Sequence, residues 1–125
     1  MPIPSLTAAG LLPAGVHICE LDEVRARFGG FQGSDQRPNL MGKLESFLTE
    51  VRTSNIVQAV ILDGSFVTSQ ETPNDIDLLL VLSTGHDFRA DLYPAQYMVV
   101  NRRRVRRTNG LDVFVSRTSQ QITLR

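Results

Sequence analysis

The chain has 125 residues, of which 42% are hydrophobic and 21% are charged, and its 13 basic residues balance 13 acidic ones. That length suits one domain with a single core, and the zero net charge argues against a protein that coats nucleic acid by charge alone, so no DNA partner is expected. No stretch approaches the roughly 20 apolar residues that a membrane-spanning helix needs, so no membrane partner is expected.

The single cysteine, Cys19, cannot form an internal disulfide, which suits a reducing compartment. The N-terminus lacks the positive and continuous apolar regions of a secretory signal peptide. We therefore expect a cytoplasmic protein. Cys19, His17 and His86 show no zinc-ligand spacing, so any bound metal is expected to have oxygen ligands.

Residues 1–18 are expected to form an irregular arm that lies over the body of the protein. Three prolines and two glycines fall in this stretch, and both residue types interrupt helices and strands. Residues 19–125 are then expected to form the single folded domain.

Two helices are predicted from apolar residues at helical spacing. The first is Glu20–Phe28, with Gly29 as its stop. The second begins near Pro38 and ends near Ser54 and Asn55. Its apolar stripe is made of Leu40, Met41, Leu44, Phe47, Leu48 and Val51.

Three apolar segments predict β-strands, namely Ile56–Leu62, Ile76–Leu82 and Leu111–Val115. The first two are expected to be buried central strands, because they are apolar on both faces. The segment Phe88–Arg107 is ambiguous: Pro94 could open a helix that Gly110 closes, whereas Met98–Val100 would suit a strand, and helix is favoured. Together these elements predict an α/β or α+β fold in which a mixed sheet packs against helices.

A Gly-Ser pair, Gly64-Ser65, is followed after nine residues by Asp75-Ile76-Asp77, at the start of an apolar run. Alternate side chains of a strand point to the same face, roughly 6 to 7 Å apart, so Asp75 and Asp77 are expected to converge. Unpaired carboxylates in a buried sheet are costly, and a divalent cation would remove that cost.

This spacing resembles the signature of the DNA polymerase beta superfamily of nucleotidyltransferases, in which Gly-Ser precedes an Asp-apolar-Asp on the next strand. The chain is also similar to small bacterial nucleotidyltransferase-like proteins and to the minimal nucleotidyltransferase antitoxins. The resemblance covers roughly residues 56–116. It implies a third carboxylate on a later strand, for which Asp112 has a suitable apolar context.

The resemblance implies transfer of a nucleoside monophosphate, by default AMP from ATP, to a protein or RNA acceptor. Two Mg²⁺ or Mn²⁺ ions would be held by Asp75, Asp77 and Asp112, with Asp112 also helping to deprotonate the acceptor hydroxyl. Gly64 would let the backbone approach the triphosphate, and Ser65 would donate its hydroxyl and N–H to phosphate oxygen.

Plainer interpretations stand beside these. Asp63-Gly64 is also a type I′ turn signal, so the chain could form a hairpin with Ser65–Thr68 as its return strand. Asp75 and Asp77 could face solvent from an edge strand, and Asp112 could be an ordinary strand residue.

Five arginines crowd one short segment: Arg102, Arg103, Arg104, Arg106 and Arg107. Such a run is usually a solvated surface, but it could also attract a triphosphate or an RNA acceptor. His17 and His86 are expected to be exposed rather than catalytic. The polar residues Thr68, Ser69 and Gln70 are candidates to line the nucleotide site.

Two departures from the superfamily pattern bear on activity. Residues 66–74 contain no lysine or arginine, whereas many active members place a basic residue soon after Gly-Ser. No helical domain is expected after the third predicted strand. A rival hypothesis is therefore a catalytically degenerate binding protein, such as the antitoxin of a toxin–antitoxin pair, with a toxin or a second copy as its partner. A structural domain whose aspartates are incidental is the third alternative.

Overall fold

The structure, a computed structural model, describes residues 3–83 and 94–116. The helices and strands in chain order are α1 (Leu21–Phe28), α2 (Gln36–Ser54), β1 (Val57–Asp63), β2 (Asp77–Leu82), α3 (Pro94–Val100), α4 (Arg102–Asn109) and β3 (Asp112–Ser116). The strands form a mixed sheet in the order β1-β2-β3, with β1 antiparallel and β3 parallel to β2. The predicted α+β class is confirmed.

Both N-terminal helices lie where the sequence predicts them. α1 begins after Glu20, whose backbone N–H donates to the Glu23 side chain over 3.3 Å, the reciprocal contact of a capping box. α2 ends at Asn55, which takes the left-handed conformation with φ 56°, a common helix stop. No helix in residues 3–83 and 94–116 is long and apolar enough to cross a membrane.

The strand predictions are correct in place but wrong in one position within the sheet. β1 was expected to be a buried central strand, yet Gln58 and Ala59 on it are exposed, and within residues 3–83 and 94–116 it pairs only with β2. The register also shifts between Val57 and Ala59, as at the bulges that protect edge strands. An apolar sequence does not reveal how many neighbouring strands a strand has. The sequence alone therefore could not distinguish an edge strand from a central one.

The segment predicted as one helix from Pro94 forms two helices. The break lies at Asn101, whose side-chain Oδ1 accepts the Arg104 backbone N–H over 3.2 Å and so caps α4. Gly110 ends α4 with φ 69°, as predicted. Residues 84–93, and therefore His86, lie outside the described residues.

The two faces of the sheet differ at the end where β2 and β3 begin. Leu78, Leu80 and Val113 are buried in the core with α2, α3 and α4. Because side chains alternate along a strand, the residues between them point to the opposite face. There Leu79 is half-buried and Phe114 is 45% exposed. This second face carries the acidic residues described below.

The arm at residues 3–18 contains no helix or strand. Its apolar side chains Ile3, Leu6 and Leu12 pack against the core. Arg27 of α1 donates hydrogen bonds to the carbonyls of Ile3 and Pro4 over 2.9 and 3.2 Å. Residues 3–18 therefore pack against the core without regular secondary structure.

Candidate functional site

Three aspartates lie side by side across the sheet, one on each strand. Asp63 pairs with Asp77 in the antiparallel register of β1 and β2, and Asp77 pairs with Asp112 in the parallel register of β2 and β3. Paired residues of neighbouring strands point to the same face, and the strands are roughly 4.8 Å apart. We call Asp63, Asp77 and Asp112 the aspartate row.

Sequence reasoning predicted two members of this row and missed Asp63. The residue ends an apolar strand just before Gly64, so it was interpreted as part of a turn signal. Thirteen residues separate Asp63 from Asp77, so their pairing depends on the register of β1 and β2, and the sequence carried no local signal for it.

Asp75, the remaining predicted site residue, is near the row but not on the strand. β2 begins at Asp77, so Asp75 precedes it instead of sharing its face as expected. The Asp75 carboxylate accepts a hydrogen bond from Arg106 over 2.7 Å. An arginine from α4 thus supplies the positive charge that the sequence argument assigned to a metal ion.

Asp77, at the centre of the row, is in an unfavourable place for a charge. Partial burial raises the pKa of its carboxyl group, and the negative charges of Asp75, Asp112 and Asp63 raise it further, while Arg106 lowers it. The negative charge on Asp77 is therefore destabilising in the folded protein, and a cation beside it would be favourable.

The Gly64-Ser65 turn touches Asp77 directly. Gly64 has φ 84° and ψ −166°, a conformation that only glycine adopts readily. A Cβ at this position would lie 2.6 Å from the Asp77 Oδ2 atom. Ser65 then opens a 3-10 turn, Ser65–Val67, so the hairpin alternative with a return strand is wrong. The Gly-Ser motif and Asp77, which are separated by eleven or more residues in the sequence, are therefore neighbours in space through Gly64.

A buried arginine, which sequence reasoning did not single out, holds the loop that follows this turn. Arg37 of α2 is fully buried. Its guanidinium donates five hydrogen bonds to the backbone carbonyls of Phe28, Phe66, Thr68 and Gln70. No carboxylate in the described residues pairs with it. These contacts fix the path of residues 66–70.

Two aromatic rings enclose the same guanidinium. The Arg37 Cζ atom lies 5.4 Å from the Phe66 ring centroid and 6.0 Å from that of Phe28, within cation–π range. Burial lowers the pKa of Arg37. The sequence did carry a signal, because Arg37 is three and seven residues before Leu40 and Leu44 and thus belongs to the apolar stripe of α2.

The five arginines of α4 divide into three groups. Arg104 is half-buried against α2, where its Nη1 lies 2.8 Å from Glu50 Oε1. Arg102 and Arg106, four residues apart, share the helix face that meets the acidic residues. Arg103 and Arg107 are exposed, and neither forms an ion pair with another described residue. We call Arg102 and Arg106 the facing pair, and Arg103 and Arg107 the outward pair.

The facing pair covers one end of the aspartate row. Arg106 binds Asp75 as described, and Arg102 Nη2 lies 3.9 Å from Asp112 Oδ1. Arg102 also stacks over the Phe114 ring, 4.3 Å from its centroid. The fully buried Val105 anchors α4 between these two contacts, so the helix presents both arginines to the carboxylates.

The remaining candidate residues lie elsewhere or have backbone roles. His17 is half-buried in the arm, not exposed as expected, and one ring nitrogen lies 2.8 Å from the Pro13 carbonyl oxygen. Thr68 and Gln70 contribute carbonyls to Arg37, and the Ser69 N–H donates to the Gly10 carbonyl over 3.0 Å. A role for their side chains in nucleotide binding stays a prediction.

The residues present suit a hard cation chemically, since four carboxylates offer the oxygen ligands that Mg²⁺ prefers. In their present arrangement, however, no three His, Cys, Asp or Glu side chains of residues 3–83 and 94–116 could hold one metal ion. Asp75 faces Arg106 instead. Metal binding would therefore require at least this carboxylate to exchange its partner.

A family model matches residues 4–123 of the chain, which is nearly its whole length. The chain belongs to DUF6932. This family is described as one of unknown function. No curated protein and no solved structure matched the chain. The residues that match the family model include both the arm and the sheet. The nucleotidyltransferase resemblance remains a hypothesis that rests on the site residues themselves.

Proposed function

We propose that this protein is a metal-dependent nucleotidyltransferase that moves a nucleoside monophosphate, AMP by default, from an NTP to a protein or RNA acceptor. The observation that carries the proposal is the aspartate row with Gly64 against it. In the superfamily signature a Gly-Ser precedes an Asp-apolar-Asp on the next strand, and a third Asp lies on a later strand. Of these residues, Gly64, Asp77 and Asp112 are neighbours in space here.

The aspartates would act on opposite sides of the reacting phosphorus. Asp75 and Asp77 would hold the ions that bind the nucleotide phosphates, and Asp112 would hold the ion nearest the acceptor. When bound, two Mg²⁺ or Mn²⁺ ions supply positive charge to the phosphates and to the attacking oxygen. The charge on Asp77 is already costly beside Asp75 and Asp112, which gives the ions a favourable place to bind.

The atoms and charges of the transfer step balance with these residues, the two substrates and water. The acceptor hydroxyl oxygen forms a bond to the α-phosphorus while the bond to the pyrophosphate oxygen breaks, and pyrophosphate leaves with that electron pair. The hydroxyl proton passes to Asp112 and on to water. Gly64 keeps a Cβ away from Asp77 and the phosphates, and the Ser65 hydroxyl and N–H donate to phosphate oxygen.

We also propose a cytoplasmic location, on the ground that one cysteine without an internal disulfide partner suits a reducing compartment.

The test is label transfer from α-³²P-labelled ATP, CTP, GTP and UTP with Mg²⁺ or Mn²⁺ and whole-cell extract. We expect label on a protein or RNA band, and at least about a 100-fold loss in Asp77→Asn, which removes a charge needed in the transition state. The matched control is Asp35→Asn, because Asp35 is exposed and its side chain makes no capping hydrogen bond. Equal labelling by both variants would refute the proposal.

A second candidate is a catalytically silent binding module, such as an antitoxin. The observation that favours it is the Asp75–Arg106 ion pair, since an arginine occupies a carboxylate that catalysis needs. Nucleotide binding by calorimetry with no transfer to any acceptor would favour this candidate. A self-association or toxin partner would then be sought by co-purification.

A further inference from the structure

We infer that the facing pair, Arg102 and Arg106, binds the phosphate groups of the nucleotide, and that these arginines neutralise the carboxylates only while metal ions are absent. This inference rests on the proposed function, since it names the phosphate ligands of that site. It also accounts for the missing basic residue after Gly-Ser, because α4 supplies two.

The first argument is position. The facing pair reaches the carboxylates that are assigned to the metal ions: Arg106 contacts Asp75 and Arg102 approaches Asp112. A nucleotide triphosphate bound through ions on those carboxylates would have its oxygens beside the same two guanidinium groups. The planar fork of arginine suits two phosphate oxygens at once.

The second argument is that these contacts can be exchanged. The side chains of Arg102 and Arg106 are 57% and 55% exposed, so solvent screens their ion pairs and weakens them. Arg104, in contrast, is only 16% exposed in its pair with Glu50. The facing pair is therefore free to change partners at little cost, whereas Arg104 belongs to the packing of α4 on α2.

The third argument is charge. The site holds four acidic side chains, Asp63, Asp75, Asp77 and Asp112, and the facing pair sets two positive charges against them. Divalent ions at the carboxylates would displace the two guanidinium groups by repulsion. The negatively charged triphosphate would then become the new partner of these guanidinium groups. With the two arginines, the net charge of the site is closer to zero than it would be without them. This holds both for the metal-free site and for the site with ions and triphosphate bound.

The sharpest test uses two variants with the same change in net charge. Arg102→Gln/Arg106→Gln removes the facing pair, and Arg103→Gln/Arg107→Gln removes the outward pair from the same helix. Isothermal titration calorimetry measures the affinity of each for Mg²⁺–ATP and, separately, for Mn²⁺ alone. Thermal melting by circular dichroism checks that each variant still folds. If the facing-pair variant does not fold, Arg106→Lys replaces it, because lysine keeps the positive charge but lacks the planar guanidinium fork.

The two affinities should change in opposite directions. For the facing-pair variant we expect Mg²⁺–ATP binding about 100-fold weaker, since two charge-assisted hydrogen bonds are lost, and Mn²⁺ binding about tenfold tighter, since two nearby positive charges are gone. For the outward-pair variant we expect less than about threefold change in either affinity.

The outcomes separate this inference from the proposed function. Equal losses of ATP affinity in both variants, or a loss of both affinities in the facing-pair variant, would overturn the inference while nucleotide binding still stands. Failure of the wild-type protein to bind any of the four NTPs or tripolyphosphate would overturn both. Arginine-dependent binding without label transfer would support the inference and overturn the transferase.

Discussion

Arg37 and Arg106 present the same guanidinium group to the protein in two opposite ways. Arg37 is fully buried and donates to neutral carbonyls, whereas Arg106 is half-exposed and pairs with a carboxylate. The buried group does not exchange readily, because losing its hydrogen bonds would leave at least the Phe28 and Phe66 carbonyls unpaired away from water. The exposed pair is held weakly and can exchange. Formal charge alone therefore does not indicate which arginine serves the fold and which serves binding.

Replacing Arg37 should have the largest effect on stability. Arg37→Met keeps most of the aliphatic volume but leaves four carbonyls without donors, so we expect a loss of about 3 to 5 kcal/mol in the free energy of unfolding. Urea denaturation measures it. Arg52→Met, on the exposed surface of the same helix, should change stability by less than about 0.5 kcal/mol.

The same measurement on Arg106→Met sharpens the contrast. Its ion pair is solvent-exposed, so we expect a loss of less than about 1 kcal/mol. A loss as large as that of Arg37→Met would show that α4 depends on this ion pair to fold, and the distinction between the two arginines would be wrong.

Gly64→Ala should have the next largest effect, since Gly64 joins the loop held by Arg37 to the aspartate row. The substitution combines a strained backbone with a Cβ 2.6 Å from Asp77 Oδ2, and we expect a loss of about 2 to 4 kcal/mol. Gly42→Ala is the matched control: it lies in α2 with nothing within 4 Å of an added Cβ, and it should gain about 0.5 to 1 kcal/mol. A neutral Gly64→Ala would mean that the turn can relax away from Asp77.

The smallest expected effect is a pH-dependent one at the aspartate row. The pKa of Asp77 is raised by burial and by its acidic neighbours, so the folded state binds this proton more readily than the unfolded state. Below the ordinary pKa of an aspartate, about 3.9, Asp77 is protonated in both states and costs nothing. As pH rises through the raised pKa the folded protein loses stability, and the loss is complete above it.

Asp77→Asn should therefore melt at a slightly higher temperature than the wild type at pH 7, without metal, and the difference should vanish as pH falls below about 4. Thermal melting between pH 3 and 8 measures this dependence, and Asp35→Asn should show no such gain. A lower melting temperature for Asp77→Asn at pH 7 would mean that the Asp77 charge is stabilised by Arg106 more than its acidic neighbours destabilise it.

Local patterns in the sequence predicted most of the elements. The helical spacing of the apolar residues, together with the residues that start and stop a helix, predicted α1 and α2 closely. Helices are predictable in this way because they are built from contacts a few residues apart. The Gly-Ser and Asp-x-Asp spacing led to Gly64 and Asp77, and the resemblance that it carries led to Asp112, which the strand register pairs with Asp77. The α+β class followed from the order of the elements.

Other features depended on contacts between distant parts of the chain. The edge position of β1 among the strands of residues 3–83 and 94–116 depends on which strand pairs beside it, and the row position of Asp63 depends on register. The five hydrogen bonds of Arg37 and the division of the α4 arginines depend on which surface each helix packs against. Sequence determined the local conformation and the residue types at the site, since both depend on short-range sterics and hydrogen bonding. Only the tertiary structure decided which charges are buried, paired or exposed, because burial depends on the whole fold.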